Sequence, residues 1–152
     1  MKKSINIILV FVLMFSILFF AKKDDEEKVI KKELGKIVIN VNDRDLIVEL
    51  EDNSSAESFY ERLKKESIRV KAHDYGSFEK VGDLGFELPR NDKTFDTKAG
   101  DLILYQGNQI TLYYDTNRWS FTKLGHVTNV DPYDLKDLLG KGDVELKFSI
   151  KR

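Results

Sequence analysis

Apolar residues follow three different patterns along this chain, and each predicts a different kind of element. The first is an unbroken run. Lys2 and Lys3 precede an uncharged stretch, Ser4 to Ala21, in which almost every residue from Ile5 onward is Ile, Leu, Val, Phe or Met. A basic start followed by such a run reads as a membrane-targeting segment. As a helix rising about 1.5 Å per residue, Ile5 to Ala21 would span roughly 25 Å, near the lower limit for crossing a bilayer. Residues 1–23 are therefore expected to be a signal peptide or an N-terminal membrane anchor. A cut after Ala21 would leave Phe19 where a small residue is preferred, and the acylatable cysteine of a lipoprotein is missing. Both features favour the uncleaved anchor. Residues 24–35 are dominated by charge, with only Val29, Ile30 and Leu34 apolar, and read as a solvated tether.

The second pattern is alternation, and it begins near Lys36. Lys36 to Val41 and Leu46 to Leu50 predict two strands joined by the polar turn Asn42-Asp43-Arg44-Asp45, a hairpin. Ile68 to Ala72 and the stretch around Phe78 and Val81 predict short strands, with Gly76, Gly82 and Gly85 marking bends or bulges. Pro89 ends the next apolar stretch, and Arg90 to Gly100 is polar and turn-rich, an exposed connection. Asp101 to Tyr105, the turn Gln106-Gly107-Asn108, and Gln109 to Tyr114 predict strand, tight turn, strand. After the turn Asp115 to Arg118 come Trp119 to Leu124 and, at the end of the chain, Val144 to Ile150.

Helical spacing, the third pattern, appears twice. Ser54-Ser55-Ala56-Glu57 matches a capping box, with Ser54 as the cap, and Ala56, Phe59, Tyr60 and Leu63 form one apolar face. Asp131 caps a second short helix with Pro132 in its first turn, Leu135, Leu138 and Leu139 as its apolar face, and Gly140 as its stop. About eight strands and two short helices thus share roughly 115 residues. So many strands would expose costly edges unless the sheet closed on itself, so the expected fold is mainly β: a closed antiparallel barrel in residues 36–152, its open ends capped by the helices.

Charge narrows the partners. Of the 25 basic side chains, four lie in residues 1–23, against none of the 26 acidic ones, so the remainder carries a net charge of −5. Such a domain repels phosphate backbones and anionic headgroups, which argues against nucleic acid as a partner and leaves membrane contact to the N-terminal segment. With no cysteine, disulfides, thiolate ligands and a cysteine nucleophile are all excluded.

Catalytic signatures are sparse. His73 and His126, the two histidines, sit in no metal-ligand spacing and read as structural, and the chain has no GxSxG, phosphate loop or GxGxxG. Asp92, Asp96 and Asp101 lack the regular alternation of a calcium loop and read as solvated acids. Neither a metal nor an organic cofactor is expected. Asn53-Ser54-Ser55 satisfies a glycosylation sequon, but helix capping already accounts for the serines. The aromatic residues carry more. Phe78, Phe86, Tyr105, Tyr113, Tyr114, Trp119 and Phe121 fall on or beside strands, and those left outside the core could grip a peptide or small molecule in a groove by stacking and hydroxyl hydrogen bonds.

The run Ala99-Gly100-Asp101-Leu102-Ile103-Leu104-Tyr105-Gln106-Gly107-Asn108-Gln109-Ile110-Thr111-Leu112-Tyr113-Tyr114, followed by Trp119-Ser120-Phe121 and Leu124-Gly125-His126-Val127, resembles the minimal bacterial cyclophilin-like domain. The likeness extends from about Lys36 to Lys151. It implies a closed antiparallel barrel with two helices, the same architecture that the count of elements predicts. Minimal domains of this kind share the fold of true cyclophilins while generally lacking their catalytic set. A cyclophilin-type prolyl isomerase uses an arginine beside phenylalanine and histidine on a barrel strand. The matching stretch, Asp74 to Val81, has no arginine. The resemblance implies a noncatalytic barrel; with the N-terminal segment and the aromatic residues, the expectation is an extracytoplasmic binding module, anchored in or secreted into a bacterial envelope, with Phe78, Phe86, Tyr105, Asn108, Tyr113 and Trp119 as its candidate groove. The alternative is a peptidyl-prolyl isomerase acting as an envelope folding helper. The ligand and the oligomeric state stay open at this level.

Overall fold

The computed structural model describes residues 34–140 and 142–151; the expected anchor, 1–23, and the tether up to residue 33 lie outside the described residues. β1 (Ile37–Val41) and β2 (Arg44–Leu50) form the expected hairpin. Its two turn residues, Asn42 and Asp43, sit at φ of 48° and 62°. This turn has the twist of the flanking strands, and short polar side chains tolerate its left-handed backbone. Alternation then turns Ile37, Ile39 and Val41 of β1 and Leu46 and Val48 of β2 into the core.

α1 (Ser54–Leu63) begins one residue earlier than the capping box suggests, because Asn53 is the cap. The Asn53 side-chain oxygen accepts from the Ala56 N–H at 2.9 Å while its Nδ2 donates to the Lys123 carbonyl at 2.8 Å. A serine has no second arm with which to reach that far, so the amide both caps the helix and ties it to the barrel. Ser54 and Ser55 both accept from the Asn91 amide instead. Ala56, Phe59 and Leu63 face the core, where Phe59 meets Phe148 edge to face at 5.5 Å.

The remaining elements are β3 (Ile68–Tyr75), β4 (Glu79–Asp83), β5 (Lys93–Asp96), β6 (Asp101–Tyr105), β7 (Gln109–Tyr113), β8 (Arg118–Val127), α2 (Pro132–Leu139) and β9 (Val144–Ile150). Antiparallel pairing runs β2-β1-β9-β3-β4-β7-β6-β8, and β8 pairs back onto β2, so eight strands close into a barrel. Gly125 lies at that seam. A Cβ there would come within 2.5 Å of the Glu49 carbonyl oxygen and 2.7 Å of Val48 Cγ1. Only a residue without one lets β8 approach β2 this closely.

The ninth strand, β5, lies inside the stretch expected to be an exposed connection. β8 runs ten residues, longer than β2 can cover, and its first half would be an open edge. Lys93 to Asp96 pairs with Phe121 to Arg118 and covers it. The sequence Lys-Thr-Phe-Asp has one apolar residue and no alternation to announce a strand, so its partner, not its own pattern, makes it one.

Both helices turn their apolar residues into the barrel core, α2 through Leu135 and Leu139. Asp131, Pro132 and Gly140 start and stop α2 as expected. Lys80 points inward beside Leu112 and is fully buried. Its ammonium donates to Asp74 Oδ1 at 2.9 Å and to the carbonyls of Gly140 and Gly142 at 2.9 and 2.6 Å. The charge thus sits at the C-terminal end of α2, where carbonyls lack intrahelical partners and the helix dipole is negative. Tyr114 donates to the same Asp74 oxygen at 2.6 Å. The hydroxyl of Tyr114 and the ammonium of Lys80 together hold the Asp74 carboxyl below its usual range. No helix among the described residues is long and apolar enough to cross a membrane.

Candidate functional site

Register decides what faces away from the barrel core. With Lys80, Gly82, Ile110, Leu112, Leu102 and Leu104 turned inward, strand alternation sends their neighbours to the outer surface of β3, β4, β7, β6 and β8. His73 pairs with Val81, Tyr75 with Glu79, Glu79 with Tyr113, and Tyr105 with Gln109. β6 and β7 are consequently buried on both faces. Ile103, Tyr113 and Phe121 form a second apolar cluster separate from the barrel core, with Phe78, Phe95 and Tyr105 packed against it.

The rings interlock. Phe78 lies parallel to Tyr113 at 5.9 Å, and Phe121 meets Tyr113, Tyr105 and Phe95 at 5.9, 6.3 and 5.9 Å with steep interplanar angles. Steep and offset packing are the arrangements that aromatic quadrupoles favour. Phe78 is held by the three-residue turn after β3, where Gly76 has φ of 61° and a Cβ would collide with the Phe78 ring at 2.2 Å. β5 acts here through Phe95, which buttresses Phe121 from behind. Above the cluster opens a groove of about 780 Å³, with Tyr75 and Trp119, each 60% exposed, among its walls.

Polar groups in the groove are few. Tyr113 receives the Asn117 amide at 3.4 Å, and Asn117 is braced by Thr97, which exchanges backbone and hydroxyl hydrogen bonds with it. Burial pushes the Tyr113 hydroxyl well above its ordinary range, with the neighbouring Glu79 carboxylate adding to the shift. Glu79 itself is only 7% exposed, and its Oε2 has no hydrogen-bond partner. Burial raises its pKa above the ordinary glutamate value, against the opposing pull of the Tyr113 hydroxyl and of His73.

A carboxyl whose folded pKa is raised stabilises the fold below its unfolded pKa, and that contribution is lost as pH rises through the folded value. Glu79→Gln is therefore expected to match the parent in thermal stability near pH 4 and to exceed it by about 1 kcal/mol at pH 7, since the neutral amide avoids desolvating a charge. Paired melts of the two proteins across that range check it. A variant less stable than the parent at pH 7 would show that Oε2 also has a partner in solution.

Of the six residues singled out from sequence, Phe78, Tyr105, Tyr113 and Trp119 come together in the groove lining. Phe86 and Asn108 do not. Phe86 packs against the barrel core under the Arg62 guanidinium, 4.2 Å from its ring, and Asn108 sits in the β6–β7 turn, where its carbonyl accepts from Leu84 N–H at 2.9 Å. Sequence reading missed Glu79, Gln109, Thr111 and Asn117, and gave His73 a structural role, although all five line the groove. Their signal was the register, invisible until strands are paired. Asp92, Asp96 and Asp101 separate to different partners: Thr122 and Arg90, Arg118, and His126 with Lys123. No three histidine, aspartate or glutamate residues among the described ones cluster so as to hold a metal ion.

The model of the cyclophilin-like family matches residues 39–149. The chain belongs to the cyclophilin-like family. Two solved structures share the fold. A hypothetical protein from Archaeoglobus fulgidus is similar over 78% of this chain and 96% of its own, with a TM-score of 0.57 and 16% identity. McbB in complex with tryptophan is similar over 76% of this chain and 44% of its own, with a TM-score of 0.52 and 14% identity. At such identities the likeness concerns the cyclophilin-like barrel alone. No curated protein matches the chain.

Proposed function

We propose that this chain is a noncatalytic binding module whose outer groove takes a small organic molecule, and that it works outside the cytoplasm, delivered or held there by residues 1–23. The groove carries the reading. Its volume of about 780 Å³ suits a small ligand, and its lining combines several aromatic rings with a few convergent polar groups, the usual makeup of such sites. McbB, similar in fold over 44% of its own length, is a protein whose structure is in complex with tryptophan, a precedent for a small aromatic ligand on a protein that carries such a barrel. No arginine lines the groove, so the group that polarises a prolyl amide in cyclophilin-type isomerases has no counterpart there.

A thermal-shift screen of the full-length chain against metabolites and short peptides tests this reading. A ligand present at a hundred times its Kd adds about 2.7 kcal/mol to stability, readily seen as a rise in melting temperature. Trp119→Ala removes an exposed ring from the groove wall and is expected to fold normally while losing most of the shift. An equal shift in that variant, or acceleration of proline isomerisation by micromolar protein in a protease-coupled assay, would overturn the reading. Mass spectrometry of the mature N-terminus distinguishes an anchor from a cleaved signal.

A further inference from the structure

Glu79 is the anomaly of the groove. Nearly all buried polar atoms in folded proteins have hydrogen-bond partners, and one that lacks them calls for a cause. Here a carboxylate oxygen is buried beside Tyr113 and Phe78 with no donor from the chain, although the residue belongs to the groove lining. Of the other polar side chains there, Thr111, Gln109 and Asn117 are neutral, and no lysine or arginine reaches it. His73 is the one potential cation, and it is exposed.

We propose that the groove selects organic cations: small molecules with an apolar or aromatic body and an ammonium group whose N–H donors meet Glu79 among the ring faces. This rests on the groove being a binding site. Three features act together. A bound ammonium supplies the donor that Glu79 Oε2 lacks, through a charge-assisted hydrogen bond stronger than a neutral one. Rings set at steep angles to one another, Tyr113 and Tyr105 against Phe121, border the groove with both faces and edges, and ring faces attract cations. Residues 36–152 carry 18 basic against 21 acidic side chains, a net charge of −3 that favours the approach of cations over anions. A ligand carboxylate would meet Glu79 as a like charge.

Trp119 is the chain's one tryptophan and lines the groove, so its fluorescence reports binding directly. The full-length chain is titrated at pH 7 with phenethylammonium, 2-phenylethanol and 3-phenylpropanoate, three probes with a common ring and different charge. The expected order has the ammonium binding about tenfold tighter than the alcohol, with the carboxylate weakest. In Glu79→Gln the ammonium loses about that factor and the alcohol is unchanged. An alcohol or carboxylate that binds the parent as tightly as the ammonium overturns the cation preference while leaving the groove a binding site. Fluorescence unmoved by all three at millimolar concentration overturns both readings. The probe series on the parent decides the matter even if the variant fails to fold.

Discussion

Replacing Lys80 with methionine is expected to destabilise the fold by roughly 2–3 kcal/mol, about 10 °C in melting temperature, and to loosen α2 selectively. Methionine fills much of the same volume, so the loss is electrostatic. The Gly140 and Gly142 carbonyls lose their donor, and Asp74 keeps only Tyr114. Swapping a whole buried ion pair for apolar residues is often neutral, but removing one member leaves the other's charge stranded. Asp74 is partly exposed, so the loss stays below the cost of stranding a fully buried charge.

Hydrogen exchange offers the more specific readout, because protection should fall across residues 132–139 before it falls in β1 or β9. The acid limb of stability also changes. Asp74's carboxyl is held below its usual range, so its contribution is present above its unfolded pKa and lost as pH falls through the folded one. Without Lys80 that loss shrinks, and the parent and variant melts converge toward low pH. A variant that melts with the parent at pH 7 and keeps α2 protected would show that the carbonyls rehydrate at no cost.

Phe121→Ala is expected to cost about 3 kcal/mol, the lower end of the range for a buried phenylalanine, because the space left behind adjoins the groove and can admit water. Phe121 is 4% exposed and touches the rings of Phe95, Tyr105 and Tyr113, so its removal withdraws the support of the whole outer cluster. The same substitution should weaken any groove ligand more than Trp119→Ala does, since it shifts the rings that shape the floor. Phe121→Leu, which retains most of the volume, should recover more than half of the lost stability. Denaturant melts of the three proteins measure both effects, and an alanine variant within 1 kcal/mol of the parent would mean that the cluster closes up around the gap.

How much of this could be read from sequence varies with the kind of residue. The β1–β2 hairpin was legible because alternation and an Asn-Asp turn agree, and α2 because Asp131, Pro132 and Gly140 mark its ends. Phe86 was not. An aromatic ring beside a strand can belong to the core or to the outer surface, and its own flanks do not say which. For β6 and β7 a clue existed: Asp101 to Tyr105 and Ile110 to Tyr114 are nearly continuous apolar runs where one-sided strands would alternate. Such runs indicate burial on both faces, and hence a second cluster outside the barrel.

Local chemistry by itself determined the class of this protein: strand periodicity, turn residues and helix caps act within a few positions, and together they specify many short antiparallel strands that must close. Tertiary structure alone decided the site. Glu79 and Lys80 are adjacent in sequence, yet the pleat sends one to the outer groove, where its Oε2 has no hydrogen-bond partner, and the other into the barrel with three partners. Strand pairing sets which side is which, and those contacts join residues as far apart as Lys80 and Gly142, whose relation no local pattern encodes.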